Sequence, residues 1–392
     1  MSILKTHREL FDIPDDIAYF NCSYNSPLLK ESISRLHDGV NSKSHPWERT
    51  PNDFFDDAEI IRNLSSDIFG GDSDGYAIVP SASYGISSAA RIFESKLSKG
   101  DEILLIDEEF PSVVLPFNRV AKETGATITT IKTPDNGNWT EAILQGFNKR
   151  VKVVALSSCH WTNGAYIDLI KVREKCDKNE AALLIDTTQT LGAMPFSIDK
   201  IRPDFMVAAG YKWLLCPYGF SLFYVDKKWR NERPLEETWI ARENAQDFAN
   251  LVNYSDKYMS GSRRFEVGEK CTPTILPGAI AAFEQIKSWG LDNIADSIMG
   301  INERIAKNLD QLGFQLPDHT QRCPHILGAI VPNTFTGNIV NELKDRKIFI
   351  SQRGKSLRFS PHLYISDNDI NRLNESITEL ITNKASVQQY RI

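Results

Sequence analysis

Residues 203–219 read PDFMVAAGYKWLLCPYG. The run FMVAA is apolar without alternation, as expected of a strand covered on both faces. It leads straight into Gly-Tyr-Lys and a turn. Lys212 then sits at the carboxyl end of a buried strand, where desolvation lowers an amine pKa and favours imine chemistry. A lysine at a strand end also commonly snorkels into solvent, and this segment alone leaves both readings open.

A second apolar run ends in a carboxylate. AALLIDTTQTLGAMP, residues 181–195, places Asp186 at a strand's close. A carboxylate there needs a partner. A pyridinium nitrogen is one; a turn cap served by Thr187 and Thr188 is another. Further candidate strands are 76–79, 102–106, 127–131, 151–157 and 220–225, alternating with helical stretches such as 87–99 and 168–179. This alternation implies a mainly parallel α/β sheet, covered on both faces, with ligands at the carboxyl ends of its strands. Residues 157–164, 186–189 and 210–212 fall there.

The last third differs. Two helices are expected within 273–313, then a strand at 325–331, a helix near 337–344, short strands at 349–351 and 357–360, and a final helix from Ser366, where SDND offers a cap. With 392 residues, two domains are expected. We divide the chain into a segment 1–20 packed on the body, a large domain 21–285 and a small α+β domain 286–392.

Composition narrows the function. Lys+Arg total 45 against 51 Asp+Glu, with no basic run, which argues against nucleic-acid binding. No apolar stretch spans a bilayer, and MSILKTHRELFDIPDD lacks the apolar core of a secretory signal, so a cytoplasmic protein is expected. The cysteines are dispersed, without CxxC or zinc spacing, and there is no HExxH. Reduced thiols and no metal are expected. The segment VPSASYGISSAARIF, residues 79–93, lies between a strand and a helix. Ser81, Ala82 and Ser83 open that helix with free N–H groups and hydroxyls, which suits a phosphate or an ordinary N-cap.

The order Asp186-x-x-Gln189, then Pro203-Asp204-Phe205, then Tyr211-Lys212-Trp213, resembles the class V aminotransferase family of fold-type I pyridoxal 5′-phosphate enzymes. That family includes cysteine desulfurases, kynureninases and isopenicillin N epimerase. The resemblance runs from YFNCSYNSP at 19–27 to LRFSPHLYIS at 357–366. It implies a seven-stranded sheet with a small second domain, a pyridoxal-phosphate cofactor, a small amino-acid substrate and a homodimer with shared sites.

The resemblance also implies roles. Lys212 carries the cofactor as an imine and shuttles the α-proton. Asp186 keeps the ring nitrogen protonated, and Gln189 contacts the ring hydroxyl or imine region. Ser81, Ala82 and Ser83 hold the phosphate. Tyr211 takes the place of a phosphate-binding Tyr in kynureninases, and Phe110 stacks on the ring as in those enzymes, unless it is a core aromatic. His160 and Trp161 contact the O3′ side of the cofactor or the substrate. His160 either assists leaving-group protonation or is a hydrogen-bonded structural histidine. Arg358 binds the substrate carboxylate, with Arg353 a second candidate, and Asn21 and Tyr24 cap the substrate. Thr272, in SRRFEVGEKCTPT at 262–274, reaches a neighbouring subunit's phosphate.

Two departures matter. Desulfurases carry a catalytic cysteine on a loop before the C-terminal arginine, and residues 350–358 hold none. A persulfide route is therefore not expected, and Cys22 is the only thiol expected at the substrate mouth. The Asp-Tyr-Arg stretch of kynureninases is replaced by His160-Trp161-Thr162. The implied chemistry runs through an external aldimine and a Cα carbanion toward amino transfer. β-Elimination of a sulfur or carbon leaving group and epimerisation are the alternatives. A non-catalytic cofactor-binding scaffold or sensor is the reading of another class.

Overall fold

The structure, a computed structural model, describes residues 3–389 apart from 334 and 336. Its strands are β1 (Ala18–Tyr19), β2 (Tyr76–Val79), β3 (Glu102–Ile106), β4 (Thr127–Ile131), β5 (Val151–Ser157), β6 (Ala182–Asp186), β7 (Phe205–Ala209), β8 (Ser221–Val225), β9 (Leu327–Ile330), β10 (Ile348–Phe349), β11 (Ser351–Arg353) and β12 (Ser356–Phe359).

Strands β2 to β8 form one seven-stranded sheet in the order β2-β8-β7-β6-β5-β3-β4. β8 runs antiparallel to both neighbours, and the other pairings are parallel. Alternate side chains feed two cores. Ile78, Leu104, Leu156, Ile185 and Met206 enter one, while Val79, Ile103, Val153, Leu184 and Val207 enter the other. That is the period-two geometry of a strand buried on both faces. Only the edge strand β4, TITTI, shows partial exposure along most of its length.

The helix expected over 87–99 occupies Ala82–Phe93 instead. Ser81 sets the earlier start, because its side chain accepts a hydrogen bond from the Tyr84 amide at 3.1 Å. The helix expected over 168–179 is Leu169–Asn179, capped by Asp168.

Beyond the sheet, β11, β12 and β9 form an antiparallel layer in that order. The long helices Leu291–Gln311 and Asp367–Gln389 pack together beside it. Ser366 and Asp369 cap the last helix reciprocally: each accepts from the other's amide, at 3.2 and 2.9 Å. The N-terminal segment is sewn to this layer. β1 pairs in parallel with β10, and Asn21 bridges Ser360. Among the described residues no helix is long and apolar enough to cross a membrane.

Candidate active site

β7 is followed by Gly210, where only glycine fits: a Cβ would lie 2.5 Å from the Phe220 ring and 2.9 Å from Cys216. The turn is closed by Cys216 N to Gly210 O at 3.0 Å and Leu215 N to Lys212 O at 3.1 Å. It presents Lys212 inward, 8% exposed, with Nζ 5.8 Å from the Phe110 ring centre and 5.6 Å from that of Tyr211. Burial lowers the amine to about 8, against the pull of Asp186 and with the help of the Arg358 and Arg353 charges.

Asp186 closes β6, 5% exposed, opposite Ser157 on β5. Its Oδ1 accepts from the Thr188 amide at 2.9 Å, so Thr188 does cap it. No basic side chain forms an ion pair with it among the described residues. Burial raises its pKa, while Thr188 and the Lys212 charge oppose the rise.

A cavity of about 210 Å³ gathers the carboxyl ends of the sheet. Ser81, Ala82 and Ser83 follow β2; Phe110 and Ser112 follow β3; Ser157 and Trp161 come from β5; Asp186, Thr188 and Gln189 from β6; Ala209, Tyr211 and Lys212 from β7. Phe110 and Trp161 meet edge to face at 5.5 Å, and Tyr211 lies 4.7 Å from Tyr218. The first two residues of the helix Ala82–Phe93 line the cavity, so its positive end opens on it. Gln189 is held at both ends, donating to the Ser23 carbonyl at 3.1 Å and accepting from Trp213 Nε1 at 3.0 Å.

Other expected residues stand elsewhere. His160 does not line the cavity: it stacks on Trp139 at 4.8 Å, its Nε2 donates to the Asp107 carbonyl at 3.0 Å, and its Nδ1 lies 2.7 Å from the Thr162 hydroxyl. Burial lowers its pKa, and a neutral ring has both nitrogens engaged. This geometry favours the structural one of its two readings. Arg358 is buried behind the wall, donating to the Trp161 carbonyl at 2.7 Å and to Ser351 Oγ at 3.2 Å. Asn21 is buried beside Ser360, and its Oδ1 has no hydrogen-bond partner among the described residues. Tyr24 is 58% exposed. Thr272 does not line its own chain's cavity; its hydroxyl donates to the Glu269 carbonyl at 2.9 Å. Cys22, expected at the substrate mouth, is fully buried, with Sγ 3.9 Å from the Lys212 carbonyl and its thiol pKa pushed up by burial.

Glu109 escaped the sequence reading. It is buried and accepts from Ser157 N at 2.7 Å, Ser157 Oγ at 2.6 Å and Phe110 N at 2.6 Å. Burial pushes its carboxyl up to about 7, with the Asp186 charge adding to the rise. The available signal was its place just after the apolar run EILLI, a strand end of the kind that singled out Asp186.

The donor set suits pyridoxal phosphate. A desolvated amine, a buried carboxylate without a basic partner, aromatic walls and a helix N-terminus match its aldehyde, ring nitrogen, ring and phosphate.

The aminotransferase class-V family model matches residues 38–373. A probable cysteine desulfurase of Pyrococcus abyssi is 25% identical over 298 residues, 74% of this chain and 72% of that one. Isopenicillin N epimerase of Amycolatopsis lactamdurans is 23% identical over 334 residues, 75% and 78% of the two chains. Among solved structures, apo cysteine desulfurase from Thermococcus onnurineus has a TM-score of 0.85 at 18% identity, covering 98% of this chain and all of that one. A cystine C–S lyase, in complex with cysteine persulfide, has a TM-score of 0.82 at 19% identity, covering 93% and 98%. These two structural likenesses establish the fold. The family match, over a chain whose strand ends converge on Lys212 and Asp186, makes the protein a member of the class V aminotransferase family and a pyridoxal-phosphate-dependent enzyme.

Proposed function

We propose that this enzyme removes the α-proton of a small amino acid and transfers its amino group, with Lys212 as the proton carrier. The observation behind this is the Lys212 amine itself, desolvated to a pKa of about 8 in a cavity that also holds Asp186. Bound there, pyridoxal phosphate supplies an aldehyde for amines and a ring that takes up the electron pair of a broken bond at Cα. Asp186 holds a proton at the ring nitrogen by charge. Ser81, Ala82 and Ser83 receive the phosphate at the helix N-terminus. Phe110 packs against the ring. Arg358 receives the α-carboxylate once Trp161, whose carbonyl it now holds, gives way: a guanidinium 1% exposed that has only neutral acceptors among the described residues is costly, and a carboxylate relieves that cost. Among the described residues no thiol and no imidazole lines the cavity, so the proton work falls to Lys212.

Two copies of the chain form the working enzyme in this reading, with Thr272 serving the partner's site and the division near residue 286 separating a large and a small domain. The free cysteines fit the cytoplasm.

A second reading, β-elimination from a sulfur-bearing amino acid, draws on the relatives named as desulfurase and C–S lyase. Product analysis of holoenzyme with single amino acids separates the two. Transfer needs a 2-oxo acid acceptor and keeps the substrate's carbon skeleton. Elimination releases ammonia without an acceptor and yields a product short of its leaving group. Ammonia release without acceptor overturns the first reading.

A further inference from the structure

One charge beside the cavity has no role in that mechanism. Arg353 stands at the corner of the hairpin joining β11 to β12, where Gly354 takes φ +55°. Ser351 pairs with Arg358 and Arg353 with Ser356, so one ribbon carries both guanidiniums. Trp161 gathers them. Its carbonyl accepts from Arg358 Nη1 at 2.7 Å, and its indole, which lines the cavity, has Arg353 Cζ 5.9 Å from its ring centre.

Neither guanidinium has a carboxylate within ion-pairing distance among the described residues. Arg353 Nη1 donates to a neutral acceptor, the Gln352 carbonyl, at 2.8 Å. Arg263, by contrast, pairs with Glu59 at 2.6 Å, and Arg230 with Asp72 at 2.8 Å. Both unpaired charges are near enough to depress the Lys212 amine. A substrate α-carboxylate neutralises one of them. Asp186 faces the ring nitrogen in the reading above, and Glu109 is taken up by Ser157 and Phe110. With the phosphate taken by the N–H groups and hydroxyls at residues 81–83, Arg353 is left without a carboxylate behind the Trp161 indole that walls the cavity.

We propose that Arg353 is a second anion-binding residue, and that the substrate is an amino acid with an anionic side chain, such as a carboxylate or a sulfinate. Arg358 takes the α-carboxylate, and Arg353 takes the side-chain anion across the Trp161 face. A guanidinium fork suits either group through two parallel N–H donors. This proposal rests on the reading of the cavity as an amino-acid site.

The test uses holoenzyme and two ligands without an amine. Succinate carries two carboxylates on a four-carbon chain; butyrate carries one. Binding is read by calorimetry. Succinate should bind about tenfold or more tightly than butyrate, the worth of one charge-assisted contact. Arg353→Gln should abolish that preference and leave butyrate affinity unchanged, and Arg353→Lys should restore part of it. Equal binding of the two ligands by the wild type overturns the proposal. So does a preference that survives in Arg353→Gln, or an equal loss of both ligands. Release of the cofactor from Arg353→Gln with the preference intact would assign the residue to the cofactor phosphate and also overturn it. The absorbance of the bound cofactor on adding L-aspartate, L-glutamate and L-alanine in turn tests the amino-acid reaction separately. No spectral change with any amino acid, alongside an intact succinate preference, would sink that reaction and keep the anion site.

Discussion

Lys212 and Asp186 do opposite things with the same burial. Desolvation disfavours the charged form of each, so it pulls the amine down to about 8 and pushes the carboxyl up. The free amine is the form that attacks an aldehyde. Capture of pyridoxal phosphate by apo-protein, followed by absorbance, should therefore accelerate as pH rises through about 8, not near the ordinary value of 10.5. A rate still climbing steeply at pH 10 would contradict the burial argument. Borohydride should then fix the pyridoxyl group on Lys212 and on no other lysine. Asp186→Ala should keep most of its cofactor, because the phosphate contacts persist, while turnover falls by about a hundredfold or more. Near-normal turnover would remove Asp186 from its role. Glu109 gives a pH effect of the other sign. Its folded pKa, about 7 against an ordinary 4.5, means its contribution to stability is full below about 4.5 and lost as pH rises through 7. Melting temperatures of apo-protein from pH 5 to 8 should fall less steeply in Glu109→Gln than in the wild type, and an identical slope would refute the assignment.

At the scale of elements, the loop after β5 couples the two layers. Trp161 walls the cavity from this loop, and its carbonyl holds Arg358 of β12. Three residues on, Gly164 takes φ +76°, and a Cβ there would stand 2.5 Å from the Ile326 carbonyl oxygen at the approach to β9. Gly164→Ala should cost about 1–3 kcal/mol in chemical denaturation, because both the backbone angle and the contact resist it. Carboxylate binding should weaken more than cofactor binding, since the loop displaced is the one that seats Arg358. Equal loss of both would mean that the loop serves the fold alone. The helix start at Ala82 teaches a related lesson. Ser81 stops the backbone at its own amide-capping geometry, five residues before the expected start, and brings the helix's positive end onto the cavity.

For the whole molecule, exposed apolar side chains bear on assembly. Trp47, Trp239, Val252 and Tyr254 all reach solvent in the single chain. Light scattering coupled to gel filtration should give about twice the chain mass of 44.3 kDa. A monomer with full turnover would rule out a site completed by Thr272 of a second copy.

How much was legible follows from what each feature depends on. The strands β2, β3, β5, β6 and β7 were readable to the residue, because a strand buried on both faces must be apolar throughout and must end where polarity resumes; the edge strand β4 was readable from its alternating β-branched residues. That Lys212, Asp186 and Ser81 lie around one cavity was readable for a related reason: strand ends of a parallel sheet converge wherever the chain goes between them. The partners of His160, the burial of Cys22 and the pairing of Arg353 and Arg358 under Trp161 were not. Each depends on segments far apart in the chain, and no local pattern carries which nitrogen meets which carbonyl. Local periodicity set the sheet and the position of its chemistry. Long-range packing chose which of the flanking polar groups face the cavity, because burial forces each one to find a partner and only the assembled layers determine which partners are within reach.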